Sequence, residues 1–300
     1  MKFAYLILAH NTPKIVHRLI NSIDSDGCIF FLHIDKKSDL AAFFINKSNI
    51  VFIKERLEIG WGDFSVLSAI ISLLHEAFTY PEKFDYFILL SGSDYPIRSA
   101  HYIENYFEQN QGKEFINCVQ MPNIGAGKPL SRLTDFKITN NDSPIVKKVI
   151  YSLLRYGLIP KRNYTKGLGG LIPYGGSTWW ALSREACSYV LFFTNSHPSF
   201  YNFFRRTHMS DEMYFQTILA NSPYKTAICH NLTYTDWSAG GPHPAIIQKE
   251  HLIFFTQKEK LIVEDHYGKG EVLFARKFSE ENIGLLDELD ETINTKKANE

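Results

Sequence analysis

The residues of this chain that can do chemistry fall into three groups. The first is Ser210-Asp211-Glu212, two adjacent carboxylates after a residue type that favours helix starts. A carboxylate held there stays ionised beside the positive end of the helix dipole and can accept a proton from an attacking hydroxyl. The second is Arg276-Lys277, set between apolar residues in LFARKF. A guanidinium fork and a point charge side by side suit phosphate oxygens. The third is a set of polar residues that each follow an apolar run: His10, His33-x-Asp35 and Asp94. Any one of these, taken alone, is equally an acidic first turn, a solvated basic pair or a turn residue.

The elements that must position them are legible in the first hundred residues. Phe3–Ala9 is a continuous apolar run, and Asn11-Thr12-Pro13 supplies a cap and an early-helix proline for a helix to about residue 23. Cys28–Ile34 (CIFFLHI), residues 51–53 and residues 84–90 (FDYFILL) read as further buried strands. Asp63 caps a helix through Thr79, on which Val66, Leu67, Ile70, Ile71, Leu73, Leu74 and Phe78 recur at helical spacing. Strands alternating with amphipathic helices give a parallel sheet covered on both faces, and such sheets bind ligands beyond the carboxyl ends of their strands. His10, Asp35 and Asp94 are therefore expected to converge.

The second half is less regular. Residues 120–143 read as a long loop, and the glycine-rich 167–176 precedes a strand at 177–182. Helices are expected at about 184–193 and from Ser210 or Asp211 to about 219, a turn-rich loop at 236–244, and a charged helix after residues 273–278 with a frayed end at 296–300. Neither a repeat nor a linker divides the chain. The expected organisation is one domain over 1–280, with a nucleotide-binding half (1–100) and an acceptor and catalytic half (101–280), then a C-terminal helix and tail over 281–300.

Composition excludes several classes of function. Lys+Arg and Asp+Glu are both 32, so no global field favours nucleic acid, and anion binding must come from local placement. The four cysteines are scattered without a C-x-x-C pair, which is neither a zinc site nor a disulfide framework. The N-terminal apolar run stops at His10-Asn11 without a small-residue cleavage site, which fits a first strand better than a signal peptide. The expectation is a cytoplasmic protein, at most peripheral at the inner face of the plasma membrane.

Eight segments in order carry a resemblance: AHN (9–11), HIDKKS (33–38), WGDFSV (61–66), LLSGSDYPI (89–97), GGSTWWALSREA (175–186), SDEMYFQTIL (210–219), YTDWS…HP (234–244) and LFARKF (273–278). Together they resemble the core-2/I-branching β-1,6-N-acetylglucosaminyltransferase family, which also contains the peptide O-xylosyltransferases. The resemblance implies an α/β fold of the GT-A type, a UDP-sugar donor (UDP-GlcNAc or UDP-xylose), inversion at the anomeric carbon, and no cofactor or required divalent metal. It implies Glu212 as general base and Lys277, with Arg276, as the diphosphate clamp. It implies a nucleotide pocket at His10, Asp35 and Trp61, with Asp94 either on donor hydroxyls or fixing the turn before Pro96. The family's upstream diphosphate arginine has no clear counterpart, and His243 is the nearest candidate.

Acceptor stacking is expected from Trp179 or Trp180, which as strand neighbours face opposite ways, and from Tyr234 and Trp237, with Arg132 on the loop. The partners implied are a UDP-sugar and a glycan or lipid-linked oligosaccharide, as in the building of a microbial surface polysaccharide. Two alternatives stand beside this reading. One is a metal-dependent transferase using Asp35 or Asp94, and the other is a non-catalytic glycan- or nucleotide-binding module.

Overall fold

The computed structural model describes residues 1–138, 142–241 and 243–297. Its first part follows the apolar pattern: β1 (Phe3–Ala9), α1 (Pro13–Ile23), β2 (Cys28–Ile34), β3 (Ile50–Phe52), α2 (Phe64–Thr79) and β4 (Tyr86–Ser91). Asp63 caps α2 by accepting from the Ser65 amide at 3.0 Å. Thr12 does not cap α1; it sits at φ 62° and its hydroxyl donates instead to the Gly92 carbonyl at 2.8 Å, across to the end of β4.

Beyond residue 91 come β5 (Tyr95–Pro96), α3 (Ala100–Gln109), β6 (Glu114–Ile116) and β7 (Val119–Gln120). The expected loop at 120–143, of which 139–141 lie outside the described residues, contains α4 (Ser131–Thr134). Then follow α5 (Pro144–Arg155), α6 (Tyr164–Gly167), β8 (Tyr174–Gly175), β9 (Trp180–Ser183), α7 (Arg184–Ser196), α8 (Pro198–Phe204) and α9 (Tyr214–Ala220). The chain closes through β10 (Ile228–Cys229), β11 (Thr233–Thr235), α10 (Lys249–Thr256), the hairpin β12 (Ile262–Asp265) and β13 (Gly268–Glu271), β14 (Phe274–Arg276) and α11 (Gly284–Lys297). Part of the expected frayed end, 298–300, falls outside the described residues.

The central sheet has seven strands in the order β10-β6-β9-β4-β1-β2-β3, and only β9 runs against its neighbours. Two apolar cores cover its faces. One packs α1, α3, α10 and α11 on the side of Phe3, Tyr5 and Ile7; the other packs α2, α7, α8 and α9 on the side of Ala4 and Leu6. The alternation along β1 thus sends successive side chains into opposite cores, which is why its sequence is apolar throughout.

Two features outside this sheet matter for the site. A small sheet, β11-β14-β5, brings Arg276 beside the turn that follows β4. And α11 is part of the first core through Leu286 and Leu289, while its Asp290 accepts from the Tyr95 hydroxyl at 2.9 Å and pairs with Arg18 at 2.6 Å. All four cysteines are free thiols.

Candidate active site

The carboxyl ends of β1, β2 and β4 are stitched together by backbone bonds. The Asp35 amide donates to Ala9 at 2.8 Å and the Gly92 amide donates to Leu8 at 2.8 Å. The expected convergence of His10, Asp35 and Asp94 is therefore a fact of the topology. The three side chains have different surroundings there.

Asp35 is buried, and its carboxylate accepts from the Lys37 amide at 2.9 Å and the Ile59 amide at 3.4 Å. His33 is buried too and takes the Leu57 amide on Nε2 at 2.9 Å. Both residues hold the 57–61 loop rather than presenting free ligands, because the loop's amides need acceptors inside the fold. That loop carries Trp61, which is exposed and lies edge-on to His208 at 5.9 Å and His243 at 5.5 Å between ring centroids. His10 is solvent-exposed; desolvation holds its imidazole below the usual range, Lys277 and Lys37 push the same way, and Asp35 opposes. His10 and Lys277 are thus within electrostatic reach of each other.

Asp94 does not offer its carboxylate to solvent. It is fully buried, accepts from the Ser91 amide at 2.8 Å and the Ser91 hydroxyl, and pairs with Arg276 Nε at 3.0 Å. Burial pushes its pKa up and the Arg276 charge opposes that. Its place is therefore the turn and the arginine, not donor hydroxyls. The Arg276 guanidinium lies over the Trp179 ring at 4.5 Å. Trp179 precedes β9 rather than lying in it, is half-buried, and has this cation over its ring. Trp180 is core, packed at 5.0 Å on Phe215. Lys277 is half-buried; its carbonyl accepts from the Ile247 amide at 2.8 Å, while its ammonium has no hydrogen bond or ion pair among the described residues.

Glu212 lies in a 3-10 turn, Ser210–Glu212, and α9 begins only at Tyr214. The expected Ser210 cap is absent: Met209 adopts φ 54°, the chain kinks, and the Ser210 hydroxyl is buried without a partner. Glu212 thus stands just before α9 rather than in its first turn, and two cations bond its carboxylate directly. Lys128, 5% exposed, and Arg132, at 2.5 Å, both pair with Oε2. Burial alone would raise the Glu212 pKa, but Lys128 and Arg132 together hold it below the usual carboxylate range. Oε1 accepts no hydrogen bond among the described residues. Asp211 is shifted the other way, up, by burial and then by its Glu212 neighbour; Thr178 donates to it at 2.5 Å.

Arg132, expected on a loop beside the acceptor, lies in the short helix α4 and pairs with Glu212, and Lys128 was not anticipated. Both lie in a segment without periodicity, and burial of a lysine against a distant carboxylate leaves no local mark. The remaining acceptor candidates separate. Trp237 is exposed, whereas Tyr234 packs among Phe254 and Phe255 at 5.8 and 5.3 Å and belongs to the aromatic wall of the first core.

Three strips are tied into one site. The Met209 amide donates to Gly62 at 3.1 Å, joining the Trp61 loop to the Glu212 turn. The segment Gly176–Trp179 joins Glu212 to Arg276. The Gly176 amide donates to the Glu212 carbonyl at 2.8 Å, Gln216 Nε2 donates to the Ser177 carbonyl at 2.7 Å, Thr178 bonds Asp211, and Trp179 meets the guanidinium. Gly176 is required here, since a Cβ would fall 1.6 Å from the Asn117 carbonyl oxygen. Among the described residues no group of three His, Cys, Asp or Glu side chains could hold a metal ion.

Fold and site define an α/β protein whose charged groups gather at the carboxyl ends of a parallel sheet, where such sheets take their ligands. Residues 3–257 match the family described as Branch: Core-2/I-Branching enzyme, and the chain belongs to that family. It is similar to Xylosyltransferase oxt of Drosophila pseudoobscura pseudoobscura, 25% identical over 252 residues, covering 79% of this chain and 26% of that protein. It is also similar to Xylosyltransferase 2 of Homo sapiens, 24% identical over 249 residues, covering 79% of this chain and 27% of that protein. The chain spans about a quarter of the length of these relatives. Among solved structures, the apo form of mouse Xyloside xylosyltransferase 1 aligns with a TM-score of 0.38 and 12% identity, over 93% of this chain and 98% of that one.

Proposed function

We propose that this chain is an inverting, metal-independent glycosyltransferase of the GT-A type. It moves GlcNAc or xylose from a UDP-sugar to a hydroxyl of a glycan or lipid-linked oligosaccharide. In this reading Glu212 takes the proton from the acceptor hydroxyl through Oε1. The oxygen attacks the anomeric carbon from the face opposite the diphosphate, the bond from that carbon to the β-phosphate oxygen breaks, and UDP leaves with the electron pair. Lys277 and Arg276 meet the charge that develops on UDP.

The observation that carries the reading is the pairing at Glu212. A carboxylate with one oxygen fixed by two cations is oriented and kept ionised, while its other oxygen is available to a hydroxyl. Its lowered basicity suits a transition state in which the hydroxyl has itself become acidic. The names of the relatives favour xylose as donor, and the resemblance drawn from the sequence segments admits GlcNAc. The cationic clamp supports metal independence, because Arg276 occupies the carboxylate of Asp94 that an ion would need. Work at the inner face of the plasma membrane, on a lipid-linked acceptor, belongs to the same proposal.

The test is transfer and hydrolysis of UDP-xylose and UDP-GlcNAc by the purified chain, with and without EDTA. Turnover of either donor that survives chelation is expected. Turnover that disappears with EDTA and returns with Mn²⁺ would replace the clamp with a metal. Binding of UDP with no turnover of either donor would leave only a binding module.

A further inference from the structure

One helix, α5, turns its apolar residues outward. Amphipathic helices of globular proteins turn their apolar stripe inward. Here Ile145 and Val149, spaced to share one face, and Tyr156, one residue past the helix end, are 77%, 53% and 70% exposed, and no described side chain of the helix is buried. Lys148 and Arg155, seven apart, lie together at the edge of that face. No carboxylate occurs from residue 143 through 184 in a chain whose formal charge is zero.

The excursion is nonetheless anchored at both ends. Asp142 pairs with Arg206 at 2.5 Å, and Arg162 donates to the carbonyls of Phe203 and Arg206 at 2.5 and 2.7 Å. Both anchors sit on residues 203–206, just before the turn that carries Glu212.

We propose that α5 is the surface by which this protein lies on an anionic membrane, its apolar face in the headgroup region and Lys148 and Arg155 on lipid phosphates. This deepens, and rests on, the peripheral placement proposed above by naming the element that makes contact. The occupant follows from the charges. A second copy docked by a twofold axis on the same face would set Lys148 and Arg155 against themselves, with no carboxylate from residues 143–184 to meet them. An anionic bilayer surface meets both the apolar stripe and the cations. The helix is 12 residues long, too short to span, and among the described residues no helix is long and apolar enough to cross a membrane. Because α5 is tied beside the Glu212 turn, the membrane would be held near the mouth of the site, where a lipid-linked acceptor must arrive.

The experiment is co-sedimentation of the full chain with vesicles of phosphatidylcholine and phosphatidylglycerol, and with phosphatidylcholine alone. Wild type is expected to partition onto the mixed vesicles and to be released by salt. I145S/V149S/Y156S and, separately, K148E/R155E are expected to lose partition by on the order of tenfold, with circular dichroism and turnover of a water-soluble acceptor unchanged. Variants that partition like wild type would overturn the assignment to α5 while leaving peripheral attachment standing. Wild type that ignores both vesicles would overturn both. A concentration-dependent dimer abolished by the triple variant would give the face to a second copy. Vesicle loss in the variants of a chain that turns over neither donor would sink the transferase reading and keep the helix.

Discussion

The guanidinium of Arg276 rests on the ring of Trp179, 4.5 Å from its centroid, while its Nε is bonded to Asp94 at 3.0 Å. Both contacts are internal, so Arg276 is fixed in place before any ligand arrives. The Lys277 ammonium, next in sequence, has no such contact among the described residues. In the proposed reading the first is a rigid cation that shapes the site and the second is the one that meets phosphate.

Lys277→Ala should therefore weaken UDP binding by roughly 1.5–3 kcal/mol, the range for charge-assisted hydrogen bonds. Transfer should slow further, because charge on the leaving UDP grows toward the transition state. Lys277→Arg should restore only part of either effect. Calorimetric titration of UDP decides it, and equal affinities in wild type and Lys277→Ala, with the fold intact, would remove Lys277 from the donor site.

Glu212→Gln is expected to keep UDP affinity and to lower transfer by on the order of 10²–10⁴. The amide keeps the shape but cannot take the proton, and it meets Lys128 and Arg132 less well. A variant with about half of wild-type turnover would not be consistent with a base at this position.

The two cations also set a pH dependence. A carboxyl held below its ordinary pKa remains ionised as pH falls, and its stabilising ion pairs are lost only as pH drops through that depressed value. The acid limb of kcat/KM should accordingly lie below the usual carboxylate range. Lys128→Met removes one cation and leaves the burial, so the limb should move up. An unmoved limb in this variant, or one moved down, would separate Lys128 from the ionisation that governs turnover.

Stability carries a pH signature of the opposite sign at Glu114. This residue, 1% exposed, accepts the Ser183 amide at 2.8 Å and hydroxyl at 2.6 Å, and burial pushes its pKa up to about 7. A raised carboxyl pKa favours the folded state at low pH, and that contribution is lost as pH climbs from the ordinary value through about 7. Urea unfolding at pH 5 and pH 8 should show part of this loss in wild type and a smaller difference in Glu114→Gln. The same difference in both proteins would exclude Glu114 as its source.

The legible parts of this fold were those whose signal is local. The apolar runs of β1 and β2 and the capped periodicity of α2 are set within a few residues, and the crevice at the strand ends follows from their parallel order. At the Glu212 turn S-D-E favours a helix start, whereas Met209 is left-handed and bonds the Gly62 carbonyl, a contact far along the chain that leaves no local mark. Lys128 and Asp94 were hidden for a related reason. Whether a charged side chain is buried depends on a partner far along the chain, 84 residues away for Lys128 and 182 for Asp94. The stripe on α5 was periodic and readable, but periodicity does not say which way the stripe faces.

The small sheet β11-β14-β5 joins Tyr95 to Ala275. A ribosome delivers these strands far apart in time, and pairings distant in sequence are the slow ones to form. β1, β2, α2 and β4 can assemble on one another while the rest of the chain is still being made. Arg276 and Lys277 can join them only after the whole stretch between β4 and β14 has been made. In the reading proposed above, a nascent chain would thus hold the bed for a nucleotide before it has the cations to grip its phosphates.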